Sequence, residues 1–148
     1  MSVPVSRLIP VAWGDMDAYG HVNNTVFLRW CETLRMDLFE RIGLEHCRSE
    51  QGIGGILAAI QCRYRAPVIY PDTVRAWATI EDISESDFEL KYRIWSTTQD
   101  RLAAEASDRI VIYDYRQMAK APWPEAPLVA LRELEFDQSW SEDGWDKN

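Results

Sequence analysis

The chain has 148 residues and a mass of 17.2 kDa, which suits one compact domain. With 47% hydrophobic and 27% charged residues, the composition excludes a disordered chain, and no apolar run approaches the roughly 20 residues that span a membrane. The net charge is −8, but from residue 133 onward six acidic residues are opposed by a single lysine. The nearly balanced remainder argues against a non-specific binder of nucleic acid or of anionic membranes.

The cysteines and the N-terminal residues bear on the cellular compartment in which the protein works. Cys31, Cys47 and Cys62 are an odd number without close spacing, which fits neither a disulfide framework nor a zinc site. No positively charged start precedes a long apolar stretch, so we expect no ordinary secretory signal. We therefore expect a soluble cytoplasmic protein that holds no metal and no cofactor.

The first third of the chain predicts a strand, a turn-rich loop and one long helix. Residues 7–13 predict a short strand, and the loop GDMDAYGH follows it. The helix spans residues 24–42, where Asn23 or Asn24 caps its start and Gly43 closes its end in a left-handed conformation. Its apolar residues cover an unusually broad arc, which indicates a helix partly wrapped by a curved partner.

Downstream, the hydrophobic period changes to two, which is typical of antiparallel strands with one buried face. The alternation predicts long strands over residues 55–65, 73–82, 87–97 and 102–115. The last three should form a meander, which the first joins through the longer connection APVIYPD. One long helix and four or five antiparallel strands predict an α+β fold, in which a single sheet bends around the helix. We expect this domain to cover residues 1–132 and the acidic residues 133–148 to form a C-terminal tail.

Two tryptophans interrupt the alternation of the predicted strands. Trp77 and Trp95 occupy the register of the polar residues on adjacent strands. Cross-strand packing among arginine and lysine stems is one explanation. A subunit interface is the other, because exposed tryptophan clusters mark contact surfaces, and it is the explanation that we favour.

The densest cluster of polar residues is the loop GDMDAYGHVNN, directly before the helix. Asp15, Asp17, His21, Asn23 and Asn24 lie within ten residues. The backbone N–H groups at a helix start have no partner inside the helix and carry partial positive charge. Such a terminus can hold a developing oxyanion beside a carboxylate that attacks or activates water. The pattern therefore suits acyl transfer without serine, cysteine or metal.

The same residues also have simpler explanations. Aspartate and asparagine before a helix are mostly caps and turn formers, and we assign Asp15 and Asn23 to that role. His21 has no serine, cysteine or second histidine nearby with which to form a catalytic dyad. A calcium loop fails, because Tyr19 and Val26 fall where oxygen ligands are required.

The segment GDMDAYGHVNNTVFLRWCETLR, the helix ending at Gly43 and the later YRAPVIYPD resemble the hotdog-fold acyl-CoA thioesterase superfamily, in its 4-hydroxybenzoyl-CoA thioesterase-like branch. The likeness runs from about Arg7 to about Pro124. It implies a hotdog fold: an antiparallel sheet of five or so strands wrapped around one long central helix. It also implies self-association, as dimers whose sheets join edge to edge or as a homotetramer.

The resemblance also implies a set of site residues. The catalytic carboxylate maps onto Asp17, as nucleophile or as the base for water. The helix N-terminus that polarises the thioester carbonyl maps onto the backbone of Asn24 and Thr25, and His21 completes the catalytic candidates. Basic groups for the phosphates of coenzyme A, at the rim of an intersubunit cleft, map onto Arg63, Arg65, Arg116 and Lys120.

These observations together predict an enzyme that hydrolyses an acyl- or aroyl-CoA thioester to a free acid and coenzyme A. The acyl-CoA substrate and further copies of the chain are its expected partners, without nucleic acid or membrane. Thioesters on an acyl carrier protein are less favoured, since both proteins would be acidic. The alternative function is a non-catalytic hotdog module that binds or sequesters acyl thioesters.

Overall fold

The computed structural model describes the backbone of residues 5–137 and the side chains of residues 5–134. A single 3-10 turn, Trp13–Asp15, lies between the first strand and the first helix. In chain order the elements are β1 (Val5–Pro10), α1 (Asn24–Arg41), α2 (Leu44–Gln51), β2 (Ile53–Tyr64), β3 (Thr73–Glu81), β4 (Asp87–Ser96), β5 (Arg101–Asp114), β6 (Ala119–Lys120) and α3 (Glu125–Asp137). Within this part of the chain, no helix has the length and apolarity needed to cross a bilayer.

All the strands belong to one antiparallel sheet, in the order β1-β3-β4-β5-β2, with the short β6 paired to the end of β5. The predicted α+β fold is confirmed. The predicted long helix agrees with α1 to within one residue, and the four predicted long strands agree with β2 to β5 to within two residues at each end. The predicted meander corresponds to β3, β4 and β5, and β2 pairs with β5. The first strand covers residues 5–10 and not the predicted 7–13, because the chain turns into the 3-10 segment Trp13–Asp15 shortly after Pro10.

Two helices were not predicted. The short α2 lies between Gly43 and Gly52, and both glycines have positive φ angles, 83° and 75°, which suit a glycine at a helix boundary. The second, α3, contacts β3. The domain boundary that we predicted at residue 132 falls inside α3, and residues 138–148 of the predicted tail lie outside the described residues.

The core lies between α1 and the concave face of the sheet. Helix α1 buries Phe27, Trp30, Cys31, Leu34 and Leu38 against the inward side chains of β3, β4 and β5. This continuous apolar stripe follows the helical period, whereas the inward strand residues follow the period of two. The broad apolar arc of the sequence therefore corresponds to a helix lying inside a curved sheet.

Trp77 corrects one interpretation of the sequence. Its position on the outward register of β3 is as predicted, but its side chain is only 3% exposed within the single chain. A residue buried in this way offers no open contact surface, so the interpretation of Trp77 as an exposed interface residue was wrong. Trp95 is half-buried, and its part in an interface stays a prediction.

A polar cluster interrupts the core at the contact between α1 and the sheet. Arg35 of α1 donates to Asp108 Oδ2 of β5 at 2.8 Å, and the Tyr92 hydroxyl of β4 donates to the same oxygen at 2.5 Å. The Asp108 side chain is fully buried. Burial raises the pKa of Asp108, and the hydrogen bond from Tyr92 and the charge of Arg35 offset part of that rise.

We expect Arg35→Met to lower the free energy of unfolding by about 3–5 kcal/mol, because it leaves Asp108 buried without its counter-ion. The loss should be largest at neutral pH, where the carboxyl group is ionised. It should shrink as the pH falls and a proton neutralises Asp108. Chemical denaturation of the wild-type protein and of Arg35→Met, from neutral to acidic pH, measures the difference in the free energy of unfolding.

Arg29→Met is the matched control, because Arg29 is on the same helix and forms an exposed pair with Glu32 at 3.7 Å. We expect it to change stability by about 0.5 kcal/mol or less. Equal losses in the two variants, or a loss in Arg35→Met that does not depend on pH, would contradict this account of the cluster.

Candidate functional site

The loop before α1 is folded by its own short-range hydrogen bonds. The Asp15 carboxylate accepts from the backbone N–H of Ala12 at 2.9 Å, which confirms its predicted capping role. The backbone N–H of Asp17 donates to the carbonyl of His21 at 3.0 Å, and that of Gly20 donates back to the Asp17 carbonyl at 3.0 Å. Gly20 takes a φ of 77°, which glycine tolerates without strain. The result is a tight turn with Asp17 at its start.

The Asp17 carboxylate is exposed and held at both oxygens. Its Oδ1 accepts from the backbone N–H of Tyr19 at 2.9 Å, and its Oδ2 accepts from Asn23 Nδ2 at 2.9 Å. Two hydrogen bonds from different directions fix the plane of the group while leaving lone pairs of both oxygens open. The geometry suits a carboxylate that must meet a reacting carbonyl or a water in one orientation.

The first turn of α1 is capped by Asn23. Its Oδ1 accepts from the backbone N–H of Thr25 at 2.9 Å and from the Thr25 hydroxyl at 2.6 Å, which confirms the predicted cap. The amide of Thr25 is therefore already in use. No described residue accepts a hydrogen bond from the N–H of Asn24. Of the two amides predicted as an oxyanion site, the structure leaves that of Asn24 open.

Tyr64, at the end of β2, contacts this first turn. Its hydroxyl donates to the carbonyl of Asn24 at 3.1 Å, and its ring packs edge-to-face on Phe27 with centroids 5.2 Å apart. Burial raises the pKa of Tyr64 to about 12, so the phenol stays protonated as a donor near neutral pH. Tyr64 is on the inward register of β2, yet the residue is 46% exposed. Only the contact between β2 and α1 reveals its role.

The loop between β2 and β3 lies beside the site. Its Val68 carbonyl accepts from the backbone N–H of Val22 at 2.8 Å, which joins it to the Asp17 loop. The far end of this connection is held by Asp72, which accepts from Ser96 Oγ at 2.5 Å and from the Thr98 amide at 3.1 Å. Burial would raise the pKa of Asp72, but these hydrogen bonds outweigh it and lower the pKa below its ordinary value.

His21 shares the loop, but its contact with Asp17 comes from its backbone carbonyl. Its imidazole is exposed. Within the described residues, no group of three or more histidine, cysteine, aspartate or glutamate side chains is arranged to hold a metal ion. The chemistry available here is that of one carboxylate and one open amide.

The four predicted basic residues fall at two opposite ends of β2 and β5. Arg63 and Arg65 flank Tyr64 on the outer side of the sheet, where Arg65 forms an ion pair with Glu105 at 2.8 Å. Arg116 and Lys120 follow the other end of β5, which pairs with the start of β2. The structure therefore brings Arg63 and Arg65 to the end that carries Asn24, and it does not bring Arg116 and Lys120 there within one chain.

Strand β2 forms one edge of the sheet, and no strand among the described residues pairs with its outer side. On its inward register, Leu57 and Tyr64 are 40% and 46% exposed, and Ile60 and Cys62 between them are partly buried against the core. An apolar strip thus runs along this edge and ends at the first turn of α1.

A family model described as the Thioesterase-like superfamily matches residues 11–131. The chain is 28% identical over 133 residues to the 1,4-dihydroxy-2-naphthoyl-CoA hydrolase of Synechococcus sp. (strain WH7803), covering 80% of this chain and 87% of that protein. A thioesterase from Thermus thermophilus, solved with coenzyme A and Zn, has a TM-score of 0.79 at 26% identity over 93% of this chain and 98% of that chain. The PA2801 protein of Pseudomonas aeruginosa has a TM-score of 0.78 at 27% identity, over 88% of this chain and 99% of that chain.

We expect Tyr64→Phe to lower stability by about 1 kcal/mol, because it removes one hydrogen bond and keeps the ring on Phe27. Amide hydrogen exchange should rise in the first turn of α1 and stay unchanged at the helix centre. Tyr19→Phe is the control, since that side chain is 88% exposed. Equal exchange in both variants would show that the Tyr64 hydroxyl does not restrain the helix start.

Proposed function

Because the chain belongs to the Thioesterase-like superfamily, we propose that it hydrolyses the thioester of an acyl- or aroyl-coenzyme A. The products are a free acid and coenzyme A. The Synechococcus relative is named as the hydrolase of an aroyl-CoA, and the Thermus neighbour was solved with coenzyme A. The observation that carries the proposal is the pairing of an exposed, doubly held Asp17 carboxylate with the open amide of Asn24.

In the proposed reaction, the carbonyl oxygen of the thioester accepts a hydrogen bond from the N–H of Asn24. Negative charge develops on that oxygen in the transition state, and losing one such donor costs about 3–4 kcal/mol in comparable sites. Asp17 then acts in one of two ways. As nucleophile it attacks the carbonyl carbon, forms a mixed anhydride and expels the thiolate of coenzyme A, after which water hydrolyses the anhydride.

As general base, Asp17 instead takes a proton from a water molecule that attacks the carbonyl carbon. Both routes suit a thioester, which is already an activated acyl group with a good leaving group. Neither route requires a serine, a cysteine or a second acidic residue. The exposed apolar strip of β2 supports placing the acyl group along that edge, with its thioester at the first turn of α1.

We also propose that two copies pair antiparallel along the open edge of β2. Strand β2 has 12 residues, so its two ends lie about 36 Å apart at about 3.3 Å per residue. Antiparallel pairing would bring the partner's start of β2, with its Arg116 and Lys120, to the end of β2 that carries this chain's site. The phosphates of coenzyme A would then meet Arg63 and Arg65 of one chain. Arg116 and Lys120 of the partner subunit would contact them across the interface.

The negative phosphates of coenzyme A would pair with these basic residues at the rim of the cleft between the two chains. A homotetramer built from two such dimers and a location in the cytoplasm are also part of the proposal. The three free cysteines support a reducing compartment.

We expect Asp17→Asn to lower the rate of thioester hydrolysis by at least about 100-fold, because the amide can neither attack nor accept a proton. The binding of coenzyme A should be nearly unchanged, and stability should fall by about 1 kcal/mol, because asparagine keeps only one of the two acceptor oxygens. Release of the free thiol from short, long and aromatic acyl-CoAs measures turnover.

Asp15→Asn is the matched control, because the new amide oxygen can still accept from Ala12 and the same charge is removed from the same loop. Its activity should stay within about threefold of wild type, in line with the small effect of most surface substitutions. Full turnover by Asp17→Asn would place the catalytic carboxylate elsewhere. Binding without turnover by the wild-type chain, across every acyl-CoA tested, would favour the alternative of a non-catalytic module.

We expect Ala58→Pro to lower the molecular mass in sedimentation from that of a dimer or tetramer to that of a single chain. Ala58 is the extra residue between Leu57 and Ala59 in the register with β5, so it is the position of β2 where proline should disturb the β2–β5 pairing least while obstructing a strand at the open edge. Ala58→Ser is the control and should keep the wild-type mass. A wild-type protein that sediments as a monomer would remove the proposed pairing.

A further inference from the structure

The side chain of Asn23 connects the two halves of the candidate site. Its Oδ1 caps α1 by accepting from the N–H of Thr25, while its Nδ2 donates to the carboxylate of Asp17. Its backbone is fixed as well: the N–H donates to the Asp15 carbonyl at 2.9 Å, and the carbonyl accepts from Val26 at 3.0 Å. The backbone hydrogen bonds of Asn23 thus fix its position independently of the two contacts that its side chain makes.

The direction of the Asn23 amide follows from its partners. A backbone N–H can only donate, so the group that faces Thr25 must be the oxygen. The nitrogen then necessarily faces Asp17, which as a carboxylate only accepts. One planar group therefore sets the distance and orientation between the capped helix start and the catalytic carboxylate.

We propose that Asn23 is a positioning residue for the thioester hydrolysis proposed above, because its single amide both caps α1 and orients the Asp17 carboxylate. The inference rests on that proposed function and adds a residue that the sequence assigned to capping alone. Capping does not require asparagine, since serine and aspartate cap about as well. An amide is required only where the same side chain must also donate to a carboxylate.

Among the described residues, titratable groups reach the region of the Asp17 carboxylate from its own loop and from the end of β2, where Arg63 and Arg65 flank Tyr64. On its own loop they are His21, the exposed Tyr19 and Asp15, whose carboxylate is committed to the amide of Ala12. From β2, Tyr64 reaches this region as a neutral donor to the carbonyl of Asn24. A change in the donor at position 23 is therefore the most direct way to alter the environment of the carboxylate.

Three substitutions separate capping from positioning. Asn23→Ser keeps a capping oxygen but is too short to reach Asp17. Asn23→Asp keeps the cap and replaces the donor with a second carboxylate oxygen. Asn23→Ala removes both functions. Thermal unfolding near neutral pH should therefore rank Asn23→Ser close to wild type and Asn23→Ala below it. Asn23→Asp keeps the cap but should lose stability as the pH rises, because its carboxylate then repels that of Asp17.

Activity should depend on the hydrogen-bond donor of the residue 23 side chain and not on its capping of α1. We expect kcat to fall by about 10- to 100-fold in both Asn23→Ser and Asn23→Ala, with KM changed by less, because a misplaced catalytic group costs about this much. In Asn23→Asp, two carboxylates face each other and share a proton, so the acid limb of the pH–rate profile should move up by about one pH unit or more. Raising the pH should restore part of its activity.

Asp15→Asn again serves as the control, and its acid limb should coincide with that of wild type. A second measurement is independent of turnover: the carboxyl carbon of residue 17, followed by NMR as the pH is varied, should titrate at higher pH in Asn23→Asp than in wild type. Wild-type kcat in Asn23→Ser, or coincident titrations in wild type and Asn23→Asp, would overturn the role of Asn23. That result would leave the proposed hydrolysis standing, whereas full turnover by Asp17→Asn would remove the hydrolysis mechanism itself.

Discussion

Burial of α1 against the concave face of the sheet is the constraint on which the other features depend. The helix is too apolar around its circumference to lie on a flat surface, so the sheet must curve to cover it. Once α1 is inside, its first turn emerges beside the end of β2, where Tyr64 contacts Asn24. The preceding loop is then carried to the same place. The position of the carboxylate and of the open amide is therefore a consequence of core packing.

The buried cluster of Arg35, Asp108 and Tyr92 adds specificity to this packing. Apolar contacts alone allow a helix to rotate or slide with little penalty, because many arrangements bury similar areas. A buried guanidinium has a single acceptable partner, so only one rotation and one depth of α1 satisfy it. Polar groups in the core thus fix the register that apolar residues leave loosely defined.

The long elements could be predicted from the sequence because each repeats one period over many residues. Helix α1 and strands β2 to β5 have such periods, and Gly43 marks a boundary by its backbone conformation. Helix α2 is too short to display a period. The loop pattern predicted the capping role of Asn23, and the structure confirms it. It did not predict the second hydrogen bond of Asn23, to Asp17, since the direction of an amide depends on partners in three dimensions. Tyr64 was missed because its contact joins residues that are 40 positions apart.

The hydrogen bonds that hold Asp17 and Asn23 all join residues within eight positions of each other. The apolar strip of β2, by contrast, comes from a segment more distant in the chain. Substitutions can therefore accumulate along that strip without disturbing the turn that bears the carboxylate. In evolutionary terms, such modularity would let the turn be inherited intact while the surface of the strip diversifies.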